Sequence, residues 1–442
     1  MKTRTLIPTT ILTAALLISA NALGQNLDET EQRMSDWIDA NLEGSIGLLE
    51  ETVNIGSGTM NHDGVRKVGV VMRRELDELG LETEWIEMRE QVNRAGHLFG
   101  RLDNGVGPSL LLIGHLDTVF EADDEFQAFE REGNLARGPG IEDMKSGNVV
   151  IVYALKALKE VGALDNFSVV VAYTGDEEKY GAPLAISRKD LIEAGHWADI
   201  ALGFESAITD DDGVDWATIS RRSSSSWVLK VSGRQAHSSG IFGEDAGAGA
   251  IFEAARILNG FYEEVRGEEH LTFNAGNIQG GTDVTYDESQ NRGTSFGKTN
   301  IIPRQLIVHG GIRTISDEQL ERARDAMRAV VARNLPHTDA SIEFKEGYPS
   351  MAPTEGNQRL QLLLSDVNQD LGRGEMPTLD PSKRGAADIS FVAPYTDALA
   401  GMGALGEGGH TPNESLELDT MALAIKRAAI MIYRISQESH QD

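Results

Sequence analysis

Residues 110–118 read LLLIGHLDT and join four apolar residues to a polar tip that contains His115 and Asp117. A short, continuous apolar run is typical of a strand that is buried on both faces of a sheet. In open α/β sheets, ligands bind outside the carboxyl ends of the strands, and this polar tip stands at such an end. The stretch therefore predicts an α/β fold and the edge of the sheet that carries the chemistry.

Further polar residues follow apolar runs or glycine-rich turns elsewhere in the chain. They are Asp143, Glu177, Glu178, Glu205 and His410. Taken one at a time, each has an ordinary alternative: a surface histidine, a helix N-cap for the aspartate, or a solvated acidic turn for the glutamates. Taken together, they form a set of imidazole and carboxylate ligands without a thiolate, which suits zinc, cobalt or manganese.

The order of predicted elements divides the chain into two units. Strand and helix patterns alternate up to the serine-rich stretch 220–226, which predicts a sheet covered by helices on both faces. The order strand, helix, strand, strand, helix, strand follows, which is the ferredoxin-like split pattern. Residues 280–297 are predicted to be a polar loop in this second unit. After the first unit resumes, a short strand is predicted around 389–392.

Composition limits the class of protein. The 442 residues exceed what one core usually serves, so two domains are expected. The 69 acidic and 40 basic residues give a net charge of −29, which argues against nucleic acid or an anionic membrane as a partner. The chain has no cysteine, so neither a disulfide nor a lipoprotein attachment is available.

The first residues are typical of a secretory signal peptide. Lys2 and Arg4 precede an apolar run from Ile11 to Ala20, and Ala20 begins a small-x-small cleavage pattern that ends at Ala22. The alternative is a retained membrane anchor, although the run is short for a membrane span. We therefore expect an exported protein, periplasmic or secreted, without a membrane attachment after cleavage.

Four motifs together resemble the M20 family of metallopeptidases, which includes glutamate carboxypeptidase, acetylornithine deacetylase and succinyl-diaminopimelate desuccinylase. The motifs are GHLDT (114–118), GPGIEDMKSG (138–147), TGDEE (174–178) and GHTPNE (409–414). The resemblance implies a zinc-dependent exopeptidase-like α/β catalytic domain, a mixed sheet flanked by helices, with an inserted ferredoxin-like α+β lid and dimerisation domain. The implied order is a signal peptide (1–24), the N-terminal segment of the catalytic domain (25–221), the lid (222–345) and the C-terminal segment of the catalytic domain (346–442).

The same resemblance implies two zinc ions per subunit, with cobalt or manganese as substitutes. The implied metal ligands are His115, Asp143, Glu178, Glu205 and His410. Asp143 would bridge the ions, with His115 and Glu205 on one of them. Glu177 would be the general base, and Asp117 would hold the second ring nitrogen of His115, as ligating histidines require.

Segments of the predicted lid resemble family segments that complete the site. GRQAHS (233–238) places His237 where a family histidine reaches the site of the partner subunit and stabilises the oxyanion. TNIIP (299–303) and GIR (311–313) match segments that hold the substrate carboxylate, here through Asn300 and Arg313. The resemblance therefore implies a homodimer formed through the lid.

The implied reaction is hydrolysis of a peptide or amide bond that releases an amino acid with a free carboxylate. Water activated between the two zinc ions would attack, with Glu177 as the general base. RGAAD at 384–388, where relatives more often have Gly-Gly-Ser-Asp, leaves the substrate open. The motifs do not separate a carboxypeptidase from an N-acyl amino acid deacylase or a dipeptidase. An exported peptide-binding protein without catalysis is the alternative from another class.

Overall fold

A computed structural model of the protein describes residues 26–287 and 292–438. The predicted signal peptide, residues 1–24, lies outside the described residues. A six-stranded mixed sheet forms the centre of the larger domain. In spatial order its strands are Glu82–Ile86, His97–Leu102, Ser168–Thr174, Ser109–His115, Ile200–Gly203 and Asp397–Leu399. The last four are parallel to one another, so their carboxyl ends meet at one edge.

The two faces of the sheet are both buried, as the apolar runs predict. Leu110 and Leu112 pack into one core cluster, while Leu111 and Ile113 pack into a second cluster on the opposite face. The alternation follows from the two-residue period of a strand. The helices of this domain are Glu29–Ala40, Leu42–Val53, His62–Leu79, Arg89–Val92, Ser146–Glu160, Leu184–Ser187, Lys189–Trp197, Glu355–Asp370 and Asp419–Glu438.

Local sequence signals set several helix ends. The side chain of Asn61 accepts a hydrogen bond from the Gly64 amide at the start of His62–Leu79, and Gly80 ends that helix with φ at 97°. A left-handed residue at this position is the usual helix C-terminus, and glycine adopts it without strain. Within the described ranges 26–287 and 292–438, no helix has both the length and the apolar composition of a membrane span.

The second unit is a four-stranded antiparallel sheet with two helices. Its strands, in spatial order, are Thr272–Gly281, Gln305–Arg313, Ser224–Gly233 and Thr338–Tyr348. Helices Gly249–Glu264 and Asp317–Val331 pack on this sheet around Trp227, Phe261 and Met327. This arrangement confirms the ferredoxin-like α+β unit inserted into an α/β domain. The domain limits at 222 and 345 stay predictions.

Two local predictions were wrong. The predicted polar loop 280–297 contains a hairpin of Asp283–Asp287 with Arg292–Phe296, in which partly buried residues alternate with exposed ones along the first strand. The predicted strand around 389–392 is instead one helical turn, Asp388–Phe391, whose apolar residues pack in the second core cluster. A short apolar run does not by itself distinguish a strand from a buried turn.

A small four-stranded sheet, not predicted from the sequence, brings two distant motifs together. Its strands are Gly406–Glu407, Ser415–Glu417, Leu135–Arg137 and Glu130–Glu132. Ser415 pairs with Arg137, so the loop that begins at Gly138 lies beside the loop that holds His410. A further pair is formed by Ile208–Thr209 and Asp215–Trp216.

Candidate metal centre

His115 is the last residue of its strand and stands beside Thr174, the last residue of the neighbouring strand. Its Nδ1 lies 3.1 Å from the carbonyl oxygen of Asp117 and 3.5 Å from the Asp117 carboxylate. Because both partners are acceptors, Nδ1 is the nitrogen that carries the proton in the neutral ring. Nε2, the ring nitrogen that could bind a cation, faces Asp143, whose Oδ1 is 3.1 Å away.

Asp143 stands between the two predicted histidine ligands. Its Oδ1 faces His115, and its Oδ2 lies 3.1 Å from Nε2 of His410. The same histidine nitrogen is 3.2 Å from Oε2 of Glu178. The ligand atoms of His115, Asp143 and Glu178 all lie within 4.8 Å of one another. The fold therefore gathers three of the other four predicted ligands around the carboxylate of Asp143, which presents a separate oxygen to each imidazole.

Glu414 fixes the loop that carries Asp143, and we did not predict this role from the sequence. Its Oε1 accepts hydrogen bonds from the amides of Glu142 and Asp143 at 2.8 and 3.0 Å. Its Oε2 accepts one from the Gly140 amide at 3.2 Å. Burial raises the pKa of this carboxyl to about 7. The only sequence signal for it is its place at the end of the GHTPNE motif.

Two further backbone positions shape these loops. Gly140 has φ at 72°, and a side chain there would place Cβ 2.4 Å from Cγ2 of Thr118. His410 also has a left-handed backbone, with φ at 65°, although it carries a side chain. Strained backbone of this kind concentrates at functional sites. The glycine-rich stretch before His410 thus allows a turn that aims the imidazole at Asp143.

Asp117 is fully buried and holds the acidic pair as well as His115. Its carboxylate accepts hydrogen bonds from the amides of Glu177 and Glu178 at 3.0 and 3.1 Å. The hydroxyl of Thr59 donates a third hydrogen bond at 2.6 Å. The carboxylate also lies 3.5 Å from Nδ1 of His115, and its predicted role as the partner of that ring stays a prediction. The sequence did not reveal the other three contacts.

Burial opposes the charge of Asp143, but its hydrogen bonds with His115 and His410 outweigh burial and lower its pKa, whereas at the two glutamates of the cluster burial prevails. Burial raises the pKa of Glu177 well above its ordinary value and that of Glu178 to about 7. Oε1 of Glu178 is buried without a hydrogen-bond partner among the described residues. Burial lowers the pKa of His115, but the hydrogen bonds of Asp117 and Asp143 outweigh it and raise that pKa. A divalent cation would supply positive charge and occupy the free oxygen, so these residues fit a metal.

Glu205 is the predicted ligand that the structure does not bring into this group. It lines the same cavity as His115. Its Oε2, however, is hydrogen-bonded to the buried guanidinium of Arg221 and lies 3.8 Å from Arg384. Neither arginine was identified as a site residue from the sequence. A ligand role for Glu205 therefore stays a prediction.

The three predicted lid residues are all exposed, and the contacts described for them lie within the lid. Nδ1 of His237 is 2.8 Å from the hydroxyl of Ser239. The amide of Ser238 donates to the carbonyl of Asn300, so these two segments are neighbours. Arg313 ends its strand opposite Thr272. The roles predicted for His237, Asn300 and Arg313 stay predictions.

Comparison with known proteins shows the family to which the chain belongs. The sequence model of Peptidase family M20/M25/M40 matches residues 111–434, so the chain belongs to this family. Carboxypeptidase G2 of Pseudomonas sp. (strain RS-16) is 28% identical over 324 residues, which are 71% of each chain. Succinyl-diaminopimelate desuccinylase of Gluconobacter oxydans is 29% identical over 359 residues, 78% of this chain and 86% of the relative. The protein is thus an M20-type hydrolase of peptides or amides.

Solved structures share the fold at low sequence identity. The aminopeptidase PepT of Bacillus cereus superposes with a TM-score of 0.70 and 18% identity, over 89% of this chain and 99% of that one. A Bacillus subtilis protein described as a dinuclear metal binding peptidase from the M20 family superposes with a TM-score of 0.61 and 16% identity, over 90% of this chain and 99% of that one. These likenesses confirm the predicted fold class.

Proposed function

We propose that this protein hydrolyses an amide bond with two zinc ions and releases an amino acid that carries a free carboxylate, in the manner of a carboxypeptidase. The observation that carries the proposal is the position of Asp143, whose two oxygens face His115 and His410 beside Glu178. A carboxylate that presents one oxygen to each of two sites is the ligand that a pair of cations needs. In this proposal Glu205 is the fifth metal ligand. Co²⁺ or Mn²⁺ can replace zinc.

The bound cations would lower the pKa of water and polarise the scissile carbonyl. Glu177 takes the proton from the attacking water and delivers it to the nitrogen of the leaving amine as the C–N bond breaks. Its buried position raises the pKa of its carboxyl, which makes the carboxylate a stronger base than an exposed glutamate. Asp117 fixes the backbone of this glutamate through the Glu177 amide.

An exposed apolar surface on the lid supports a homodimer. It combines the helix Gly249–Glu264 with the edge strand Thr272–Gly281, the hairpin that follows, and Phe242, whose ring packs against Phe252 of the helix. Its exposed members are Phe242 (67%), Ile251 (44%), Phe252 (50%), Ile278 (56%) and Phe296 (55%). A Cβ on Gly280 would lie 3.3 Å from Cγ1 of Ile251, so helix and edge strand meet there. Exposed apolar side chains grouped in this way favour an interaction surface.

The dimer would bring His237 to the partner's site as a donor to the oxyanion, and Asn300 and Arg313 to the substrate carboxylate. An arginine fork suits this carboxylate, because the chain as a whole carries a charge of −29 and would otherwise repel it. The likeness to a succinyl-diaminopimelate desuccinylase favours an N-acyl amino acid deacylase as the second candidate. Export to the periplasm or beyond, with cleavage after residue 22 or 24, completes the proposal.

A panel of substrates tests the proposed function. The purified protein is stripped with a chelator, reconstituted with zinc, and offered N-acyl glutamates, N-succinyl amino acids and dipeptides while released amino acid is measured. We expect hydrolysis that the chelator abolishes and zinc restores, with one substrate class preferred. Binding of these compounds without release of an amino acid would instead favour the non-catalytic binding protein.

A further inference from the structure

The chain passes between the catalytic domain and the lid through a short two-stranded ribbon. Arg221 and Met351 exchange two backbone hydrogen bonds of 2.9 Å. Ser224 pairs with Tyr348 a few residues further along. Tyr348 is therefore the last residue of the lid sheet on the return of the chain.

The side chain of Tyr348 is inserted into the catalytic domain. It is 7% exposed and belongs to the second core cluster of that domain, where its ring packs edge-on against Phe391 with centroids 5.0 Å apart. Its hydroxyl donates a hydrogen bond of 2.9 Å to the carbonyl of Glu177. A lid residue thus contacts the peptide group of the proposed general base.

The hydroxyl of Tyr348 also accepts a hydrogen bond from a buried charged side chain. Nη2 of Arg188 donates to it at 2.8 Å, and Arg188 is fully buried. The same guanidinium forms ion pairs with Asp176 and Asp388. Arg188 therefore has two carboxylate partners as well as the hydroxyl of Tyr348. Moving any of these side chains would leave a buried charge unpaired, which would lower the stability of the fold.

Glu177 is consequently held at both ends of its backbone. Its amide donates to Asp117 at 3.0 Å, and its carbonyl accepts from Tyr348 at 2.9 Å. Two opposed hydrogen bonds fix the rotation of the peptide planes and hence the direction in which the side chain leaves the backbone. Neither bond involves the carboxylate of Glu177, which is left available for the reaction.

The geometry points to Tyr348 as a positioning residue that orients Glu177 and links the junction of the lid to the general base. This inference rests on the proposed function, in which Glu177 is the base. Small displacements of a catalytic group lower the rate without weakening substrate binding. Loss of the hydroxyl therefore acts on kcat rather than on KM.

The test is Tyr348→Phe, which keeps the ring and removes the hydroxyl. We expect kcat to fall about tenfold, with KM, metal content and thermal midpoint close to those of the unaltered protein. Tyr153→Phe is the matched control and should leave kcat unchanged, because Tyr153 packs against Trp37 and away from the acidic pair. If Tyr348→Phe does not fold, 3-fluorotyrosine at position 348 replaces it, because this residue keeps the ring and the hydroxyl but alters the strength of the hydrogen bond; kcat should then change while KM does not.

A double-mutant cycle with Glu177→Asp separates positioning from a general structural effect. If Tyr348 acts through Glu177, the hydroxyl should matter less than about twofold once the base is already misplaced. An unchanged kcat in Tyr348→Phe, a rise in KM alone, or full additivity with Glu177→Asp would each overturn the inference. Failure of the proposed function would appear earlier, as absence of chelator-sensitive hydrolysis in the unaltered protein.

Discussion

The polar edge of the catalytic sheet and the surface of the lid contain two different kinds of predicted site residue. At the sheet edge, His115, Asp117 and Asp143 are buried or partly buried. His115 lies 3.5 Å from the Asp117 carboxylate and 3.1 Å from that of Asp143. On the lid, His237 and Asn300 are exposed, and their described contacts are local. The sheet edge is thus organised by contacts within one chain, whereas the roles proposed for the lid residues depend on a second surface.

The largest expected effect lies at the sheet edge. Glu177→Gln keeps the size of the side chain and removes the proton acceptor, so kcat should fall by about 10³-fold or more. Zinc content, measured by mass spectrometry, should be unchanged because the residue is not a predicted ligand. Turnover near that of the unaltered protein would remove Glu177 from the base role and leave the sheet edge without an acid–base group.

On the lid, His237→Ala should lower kcat by about 10²-fold, because one donor to the oxyanion is lost while the metal ligands are intact. Arg234→Ala, an exposed neighbour on the same segment, is the control. Mixing the His237→Ala and Glu177→Gln proteins should restore part of the activity if the histidine serves the partner's site. If mixing the two variants restores no activity, His237 does not serve the site of the partner subunit.

The proposed dimer interface can be tested without changing a predicted catalytic residue. Ile278→Lys places a charge on the exposed edge strand and should convert a dimer to a monomer in analytical ultracentrifugation. The activity should then fall by a factor similar to that of His237→Ala. Leu362→Lys, at an equally exposed leucine of the catalytic domain (59% exposed), should change neither the mass nor the activity. A monomeric unaltered protein with full activity would refute the proposed dimer.

The smallest expected effect concerns Glu414 and stability in the metal-free protein. Burial raises the pKa of this carboxyl from 4.5 to about 7, so the folded state binds its proton more tightly than the unfolded state. Its contribution to the free energy of unfolding is present below pH 4.5 and is lost as the pH rises through about 7. The whole change is at most about 3 kcal/mol.

Glu414→Gln should remove this pH-dependent contribution to the free energy of unfolding. Denaturant unfolding at pH 5 and pH 8 measures it: the difference in stability between the two pH values should be smaller in the variant than in the unaltered protein. An identical difference in both proteins would show that Glu414 does not titrate in this range.

The sequence predicts site residues best where they lie in a segment whose own pattern predicts its secondary structure. The strand that ends at His115 and the turn before Asp143 carry apolar runs and glycines that predict their own structure. Glu414, Thr59 and Tyr348 were missed because each acts through contacts with distant parts of the chain; the residues joined by the Glu414 bond to the Gly140 amide are 274 positions apart. Such contacts leave no periodic signal. The hairpin within 280–297 was missed because its polar composition hid the alternation of partly buried and exposed residues.

Glu205 is paired with Arg221 in the metal-free protein, whereas the two-metal proposal makes it a ligand. The number and positions of the bound metal ions therefore test the proposal most directly. The zinc-loaded protein is crystallised, and anomalous difference density is recorded at the zinc absorption edge. We expect two peaks on either side of Asp143, one beside His115 and Glu205 and the other beside Glu178 and His410. A single peak among His115, Asp143 and Glu178, with Glu205 still paired to Arg221, would contradict the two-metal site.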